Sequence, residues 1–263
     1  MTDPATTGRR SRITAVTSGK GGVGKTFVTT NLAAALARQG EKVLVLDADL
    51  GLANIDVVLN LYPKVTLHDV FTGKSSLDEA ILPAPGGFSV LLAGSGMVEY
   101  SRMTPQVSEQ LQKVIAEVAP RFDRVLLDTG AGISDVVLYT VSLATEVLLV
   151  ATPEPTSLAD AYATIKVLAN TQGRRDVMLL VNQTRKPGAG RSVRAQLQQV
   201  LDRYVTPGLG EPIRVDLVGE VPADAAVREA VQRRQLLLDV MPGALASQAV
   251  VAVASRMMAA ADA

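Results

Sequence analysis

The chain has 263 residues, of which 48% are hydrophobic and only 3% aromatic, so it can bury a large aliphatic core and is not a disordered protein. Its 26 basic and 26 acidic residues balance, so net charge does not favour binding to nucleic acid or membranes, although a local basic patch is still possible. Because it has no cysteine and one histidine, the sequence excludes disulfides, thiolate metal sites, cysteine nucleophiles and multi-histidine metal sites.

Neither end of the chain resembles a membrane or secretion segment. The longest apolar stretch, at 244–255, is rich in alanine, contains Ser247 and Gln248 and is too short to span a bilayer. Residues 1–12 are polar and lack the apolar stretch of a secretion signal. We therefore predict a cytoplasmic protein with a flexible N-terminal segment at 1–11 and a single domain at 12–263.

Short apolar runs alternate with helical patterns along the chain. Runs typical of strands lie at 13–17, 43–47, 124–128, 146–151, 177–182 and 215–218. Helical patterns lie at 25–39, 105–118, 134–143, 157–170, 193–204 and 244–261. This alternation predicts an α/β fold with a mostly parallel sheet flanked by helices on both faces. The less regular segment 53–96 is expected to hold short helices and an edge strand.

A glycine-rich turn between the first strand and the first helix fits G-x-x-x-x-G-K-[ST]. Glycines allow consecutive backbone N–H groups to converge on phosphate oxygens, and the helix N-terminus adds a favourable dipole. In such a turn Lys25 reaches the β- and γ-phosphates, and Thr26 ligates Mg²⁺. The motif predicts a P-loop whose nucleotide-binding residues are Gly19, Gly21, Gly22, Val23, Gly24, Lys25 and Thr26.

The same glycines also satisfy G-x-G-x-x-G, the pattern of dinucleotide-binding turns. Asp47 then stands at roughly the ~20-residue offset of a ribose-binding acid, so a nicotinamide-dependent oxidoreductase is an alternative. The pair Lys25-Thr26 favours the P-loop, because a dinucleotide-binding turn has no use for it.

Three acids follow predicted strands at the edge where ligands lie in an open α/β sheet. Asp128 ends an apolar run, which suits an acid that acts on Mg²⁺ directly or through water; the alternative is a helix cap. Asp47 and Asp49 point to the same side of an extended chain. One of them can support Mg²⁺ while the other orients the attacking water, and the alternative is a pair of solvated loop acids.

Taken together, residues 20–26 (K-G-G-V-G-K-T) and these acids resemble the MinD/ParA family of P-loop ATPases, whose fold and ATP-Mg²⁺ chemistry are then expected. The resemblance implies an ATP-dependent homodimer in which Lys20 reaches the partner's phosphates. It implies that Asp49 positions the hydrolytic water and leaves Asp47 beside Thr26 and Asp128 as a metal residue. It also implies that Asn182 reads adenine and that Pro222 and Asp224 belong to the loop that closes over the base.

Residues 47–56 and 155–162 are most similar to the FlhG/FleN/YlxH subgroup, the flagellar-number regulators of the family. That similarity implies a role in flagellar number or placement and a slow ATPase stimulated by its partners. The implied partners are an FlhF-type GTPase, a flagellar master activator or switch-complex proteins. A MinD-like division-site regulator and a ParA-like DNA partition ATPase are the alternatives.

Two further features bear on location and partners. Members of the family that bind membranes end in a basic amphipathic helix, whereas residues 255–263 hold one arginine, one aspartate and four alanines, so we expect a packed helix and weak membrane association. A polar or peripheral membrane location remains an alternative to a diffuse cytoplasmic one. The arginines and lysine between 174 and 194 form a modest basic stretch, and without a recognition motif we expect no specific DNA binding.

Overall fold

The structure is a computed structural model and describes residues 11–51, 53–94, 100 and 102–260. Residues 1–10, which form most of the predicted N-terminal segment, lie outside the described residues, as do Leu52, 95–99, 101 and 261–263. Within the described ranges, no helix combines the length and hydropathy that a membrane span needs.

The described part of the chain forms one sheet of eight strands and twelve α-helices. The strands are β1 (Arg12–Ser18), β2 (Val43–Ala48), β3 (Ile81–Pro83), β4 (Ser89–Leu91), β5 (Arg124–Ala131), β6 (Glu146–Ala151), β7 (Asp176–Thr184) and β8 (Arg214–Pro222). The helices are α1 (Lys25–Arg38), α2 (Ile55–Leu59), α3 (Leu67–Phe71), α4 (Leu77–Ala80), α5 (Pro105–Val118), α6 (Asp135–Ser142), α7 (Pro155–Gln172), α8 (Ala189–Tyr204), α9 (Thr206–Leu209), α10 (Ala225–Gln232), α11 (Leu237–Val240) and α12 (Leu245–Ala259).

The strands lie in the order β3-β4-β2-β5-β1-β6-β7-β8, and only β3 runs antiparallel to its neighbour. The prediction of a mostly parallel sheet with helices on both faces is therefore confirmed. Because β2, β5 and β1 are adjacent and parallel, their carboxyl ends meet at one edge, which brings the P-loop and the three acids together.

Each face of the sheet is covered by helices, which explains the continuous apolar runs of the strands. Side chains such as Leu46, Leu127 and Leu149 pack on one face with residues of α5, α6, α7 and α8. The alternate residues, such as Val45 and Leu126, pack on the other face with α1, α2, α10, α11 and α12. The C-terminal helix α12 buries Val250, Val253 and Met257, as the sequence predicted for a packed helix.

The irregular segment contains more structure than predicted. It forms α2, α3 and α4 and an antiparallel pair, β3 and β4, that extends the sheet beyond β2. Capping boxes fix the short helices: Thr66 with Asp69 begins α3, and Ser76 with Glu79 begins α4. These helices have four or five residues, so caps and packing define them rather than periodicity.

Side chains close the free edge of β8. The carboxamide of Gln198 donates to Ile213 O at 2.7 Å and accepts from Val215 N at 3.0 Å, as a neighbouring strand would. Arg194 donates to Val215 O at 2.8 Å, and Arg256 donates to Leu217 O at 2.9 Å. These contacts satisfy the backbone of an edge strand and stop the sheet from growing there.

Candidate functional site

The P-loop connects β1 to α1 and adopts a conformation that requires its glycines. Gly22 and Gly24 have φ of 78° and 91°, in the left-handed region that glycine adopts without strain. A Cβ at Gly24 would lie 2.5 Å from Nδ2 of Asn182, and a Cβ at Gly19 would lie 2.3 Å from the Asp160 carbonyl oxygen in α7. The loop is therefore wedged between β7 and α7, and its backbone path is fixed by close packing.

Thr26 and Asp128 form the most tightly connected pair at the site. Thr26 Oγ1 donates to Oδ2 of Asp128 at 2.7 Å, and Thr29 Oγ1 lies 2.9 Å from Oδ1. Asp128 is 3% exposed, and burial raises its pKa to about 6, although the two hydroxyls and Lys25 act in the opposite direction. A hydroxyl and a carboxylate side by side are oxygen donors of the kind that Mg²⁺ prefers, so these residues fit the predicted metal.

Asp47 lies beside Asp128 on the neighbouring strand and braces the segment that follows β2. Its carboxylate accepts from the backbone N–H groups of Asp49, Asn54 and Ile55 at 3.2–3.3 Å. Burial and then the charge of Asp128 raise the pKa of Asp47 well above its usual range. Asp47 thus stabilises the segment after β2 through these backbone hydrogen bonds. Its role as a metal residue stays a prediction.

Lys25 and Asp49 face a cavity of about 700 Å³ at the carboxyl edge of the sheet. Residues of the P-loop, the segment after β2, the end of β5 and α6 line it, including Gly22, Thr26, Gly51, Gly130 and Val137. Burial lowers the pKa of Lys25, while the charges of Asp128 and Asp49 partly restore it. The cavity is large enough for the phosphates of a nucleotide. Its lining contains both a cationic side chain, Lys25, and an acidic one, Asp49.

Lys20 makes its contacts within its own chain. Its Nζ donates to Glu154 Oε2 at 3.0 Å and to Thr156 Oγ1 at 2.9 Å, at the start of α7. The Lys20 side chain is 37% exposed and that of Glu154 63% exposed, so the pair lies at the surface. The resemblance assigned Lys20 to a partner's phosphates, a role that a single chain does not test.

The residues predicted for the adenine lie near the P-loop but have structural partners. Asn182 Nδ2 donates to Val23 O at 2.8 Å, and its Oδ1 accepts from Gln183 N at 2.9 Å, so it braces the P-loop. Asp224 accepts from Ala226 N at 2.9 Å and Ala246 N at 3.2 Å, which caps α10 and the start of α12. Pro222 ends β8, and the adenine roles of all three stay predictions.

A second cavity of about 440 Å³ opens beside Glu154, the residue that accepts a hydrogen bond from Lys20. Its lining includes Glu154, Gln183, Arg185, Lys186 and Ala223. It lies at the carboxyl ends of β6, β7 and β8, but Asn182, Pro222 and Asp224, which the resemblance assigned to the base, do not line it. The predicted site did not include Glu154 and Gln183, which line this cavity. The sequence signal available for Gln183 was its position directly after Asn182.

Comparison with known proteins identifies a family for this chain. The sequence matches the ParA family, described as NUBPL iron-transfer P-loop NTPase, over residues 9–258. The iron-transfer part of that description has no counterpart in this chain's residues, since the chain has no cysteine to hold an iron–sulfur cluster.

Two relatives cover most of the chain. It is similar to the antiactivator FleN of Pseudomonas aeruginosa, with 42% identity over 94% of this chain and 86% of that protein. It is similar to the flagellum site-determining protein YlxH of Helicobacter pylori, with 29% identity over 94% of this chain and 82% of that protein.

Solved structures of cell-division proteins share the fold. The cell division ATPase MinD of Pyrococcus furiosus has a TM-score of 0.77 and 29% identity, covering 95% of this chain and 99% of that one. The septum site-determining protein MinD of Pyrococcus horikoshii, complexed with Mg-ADP, has a TM-score of 0.76 and 28% identity, covering 96% and 99%. Nucleotide and Mg²⁺ use therefore occurs among the structural relatives of this chain.

Proposed function

The chain belongs to the ParA family of P-loop NTPases, and we propose that it is a Mg²⁺-dependent ATPase that dimerises with ATP and regulates flagellar number or placement. One observation carries the chemistry: Lys25, Thr26 and Asp49 line one cavity, and Thr26 is bonded to Asp128. The family's members are nucleotide hydrolases, which supports hydrolysis as the reaction.

In the proposed reaction, the backbone N–H groups of the P-loop and Lys25 hold the β- and γ-phosphates of ATP. Bound Mg²⁺ neutralises charge on these phosphates; Thr26 and Asp128 would hold it, with Asp47 as the third predicted metal residue. Asp49 accepts a hydrogen bond from the attacking water and so aligns it with the γ-phosphate. Burial lowers the pKa of Lys25, and the negative charge of bound phosphates would raise it again, which favours the charged form of the side chain.

The proposed dimer joins the cavity faces of two copies, with Lys20 of each reaching the other's phosphates. Two observations support it. Ile133, which follows β5, is 46% exposed, and Val231, which lines the cavity, is 43% exposed. A second copy that covered the cavity would bury the exposed part of Val231, which lines it. Hydrolysis would then return the monomers.

The flagellar role is supported by the relatives' names. FleN is called an antiactivator, and YlxH is called flagellum site-determining. An FlhF-type GTPase, a flagellar master activator or switch-complex proteins are the partners we propose. Control of flagellar number needs a switch whose state depends on turnover, which a slow, partner-stimulated ATPase provides.

Deletion of the gene in its source organism tests the role, with flagella and cell lengths counted by electron microscopy. Abnormal flagellar number or placement with normal division is the expected result. Normal flagella with minicells would favour a MinD-like division role, and normal flagella with anucleate cells would favour a ParA-like partition role. Complementation with a Lys25→Ala variant is the matched control, since it should fail if ATP binding is required.

DNA partition is the less favoured alternative, because parts of the basic stretch have structural partners. Arg174 donates to carbonyl groups at the end of α6, including Val141 O at 3.2 Å. Arg175 donates to Ala169 O at 2.8 Å, and Arg194 is used at the edge of β8. Absence of ATP-dependent binding to nonspecific DNA at low salt would remove this alternative. Binding of ATP without binding of NAD would remove the oxidoreductase.

A further inference from the structure

Thr29 lies one turn after Thr26 on α1, outside the P-loop motif, and is fully buried. Its Oγ1 is 2.9 Å from Oδ1 of Asp128, while Thr26 occupies Oδ2 at 2.7 Å. Both oxygens of the buried carboxylate are thus bonded by hydroxyls of one helix. A carboxylate held at both oxygens cannot rotate without losing a hydrogen bond.

The hydroxyl of Thr29 has one hydrogen and two acceptors within reach, since Lys25 O lies 3.0 Å away. A carboxylate is the stronger acceptor, so the bond to Asp128 is favoured whenever the acid is ionised. We propose that Thr29 is a positioning residue: it fixes the Asp128 carboxylate, which in turn orients the Thr26 hydroxyl toward Mg²⁺. This inference rests on the proposed ATP-Mg²⁺ function of the same site.

The ordinary reading of a helical threonine is different. Threonines within helices commonly donate to a carbonyl one turn earlier, which has no consequence for a site on another element. Thr30 does this, with Oγ1 at 2.8 Å from Thr26 O, and it is as completely buried as Thr29. Thr30 is therefore the matched control: the residue type, helix and burial are the same, and only the contact with Asp128 is missing.

The test measures the Mg²⁺ concentration that half-saturates binding of a fluorescent non-hydrolysable ATP analogue, in wild type, Thr29→Val, Thr29→Ser and Thr30→Val. Loss of a hydrogen bond to a charged group predicts a rise on the order of tenfold in Thr29→Val. Thr29→Ser keeps the hydroxyl and should keep the wild-type value, as should Thr30→Val. Analogue binding in EDTA should change by less than about twofold in every variant, because the phosphate contacts remain.

Two results would overturn the inference: an equal shift in Thr29→Val and Thr30→Val, or a shift in Thr29→Ser as large as that in Thr29→Val. If Thr29→Val does not fold, Thr29→Ala carries the same comparison. Failure of the proposed function is a separate result, because wild-type protein would then bind the analogue without any dependence on Mg²⁺. Thermal unfolding of all variants without nucleotide separates a folding defect from a metal defect.

Discussion

Asp47 and Asp128 are two carboxyl groups buried side by side on neighbouring strands. Burial disfavours the charge on each; the charge of Asp128 adds to this effect at Asp47, and the charge of Asp49 adds to it at Asp128. In the proposed function a bound cation offsets that cost, so the free protein carries electrostatic strain at this edge of the sheet. Such strain is typical of functional sites and lowers the stability of the folded state.

Asp128→Asn is therefore expected to stabilise the protein without Mg²⁺ and nucleotide. In the wild-type protein the pKa of the Asp128 carboxyl is about 6 in the folded chain, against the ordinary 3.8. Between these two pH values the folded protein holds a proton that the unfolded chain has released. Stability consequently falls as pH rises through this window and stays low above it. At about pH 7.5 we expect a gain on the order of 1–3 kcal/mol from the substitution, measured by urea unfolding.

The gain should fade as pH falls toward about 3, below the ordinary pKa of 3.8, where the Asp128 carboxyl is largely protonated in both states. A gain that persists at that pH would show that shape or hydrogen bonding, rather than charge, is responsible. A loss of stability at neutral pH would contradict the account of a strained carboxylate.

The contact of Lys20 with Glu154 and Thr156 competes with the proposed contact across a dimer. Glu154→Gln weakens the contact within the chain, so it should tighten the ATP-dependent dimer. Because the pair is largely exposed, we expect only a two- to fivefold fall in the dimer dissociation constant, of the size that surface ion pairs give (about 0.4–1 kcal/mol). Sedimentation equilibrium with ATP measures it.

Glu211→Gln is the matched control for that experiment. Glu211 is 72% exposed and pairs with Arg175 at 3.5 Å, so the substitution removes a comparable surface charge elsewhere on the chain. Its dimer constant should equal that of wild type. Weaker dimers in Glu154→Gln than in this control would mean that Glu154 supports the dimer instead of competing with it.

Among the elements, the P-loop depends on two neighbours that are distant in sequence. Gly24 packs against Asn182 at the end of β7, while Gly19 packs against the backbone of α7. The loop therefore owes its shape to tertiary contacts as much as to its own glycines, and substitutions within it should differ sharply by position.

Gly24→Ala and Gly21→Ala form a matched pair for this point. Gly24 has φ of 91° and its Cβ would collide with Asn182, whereas a Cβ at Gly21 would meet nothing within 4 Å. We expect Gly24→Ala to cost about 1–3 kcal/mol of unfolding free energy and Gly21→Ala less than about 0.5 kcal/mol. Equal costs in thermal or urea unfolding would contradict the packing argument.

The elements that could be predicted from the sequence were those with long patterns or a motif. The buried strands and most of the long helices appear as expected, and so does the P-loop. A single edge strand was expected where β3 and β4 form a pair, and the helices α9, α10 and α11 were not predicted, because three to eight residues carry too little periodicity. Thr29 was missed for another reason: its partner Asp128 is 99 residues away, so only the fold reveals the contact.

Across the whole molecule, the two ends of the parallel sheet differ in their electrostatics. At the amino end, fully buried Arg124 donates to Glu41 at 2.7 Å and to Glu146 at 3.2 Å, and Arg12 also pairs with Glu146. Charges there are matched within the chain. At the carboxyl end, buried carboxyl groups, Lys25 and an open cavity lie together, and we propose that nucleotide, Mg²⁺ and a second copy complete them.

In the proposed function ATP switches the oligomeric state, which sedimentation velocity measures. The experiment uses Asp49→Ala, in which hydrolysis should be too slow to reset the switch, with Mg²⁺ and either ATP or ADP, and the double variant Lys20→Ala with Asp49→Ala as control. We expect a dimer of the 27.6 kDa chain with ATP, a monomer with ADP, and a monomer of the double variant with either nucleotide. The same mass with ATP and ADP, or a dimer that persists without Lys20, would contradict it.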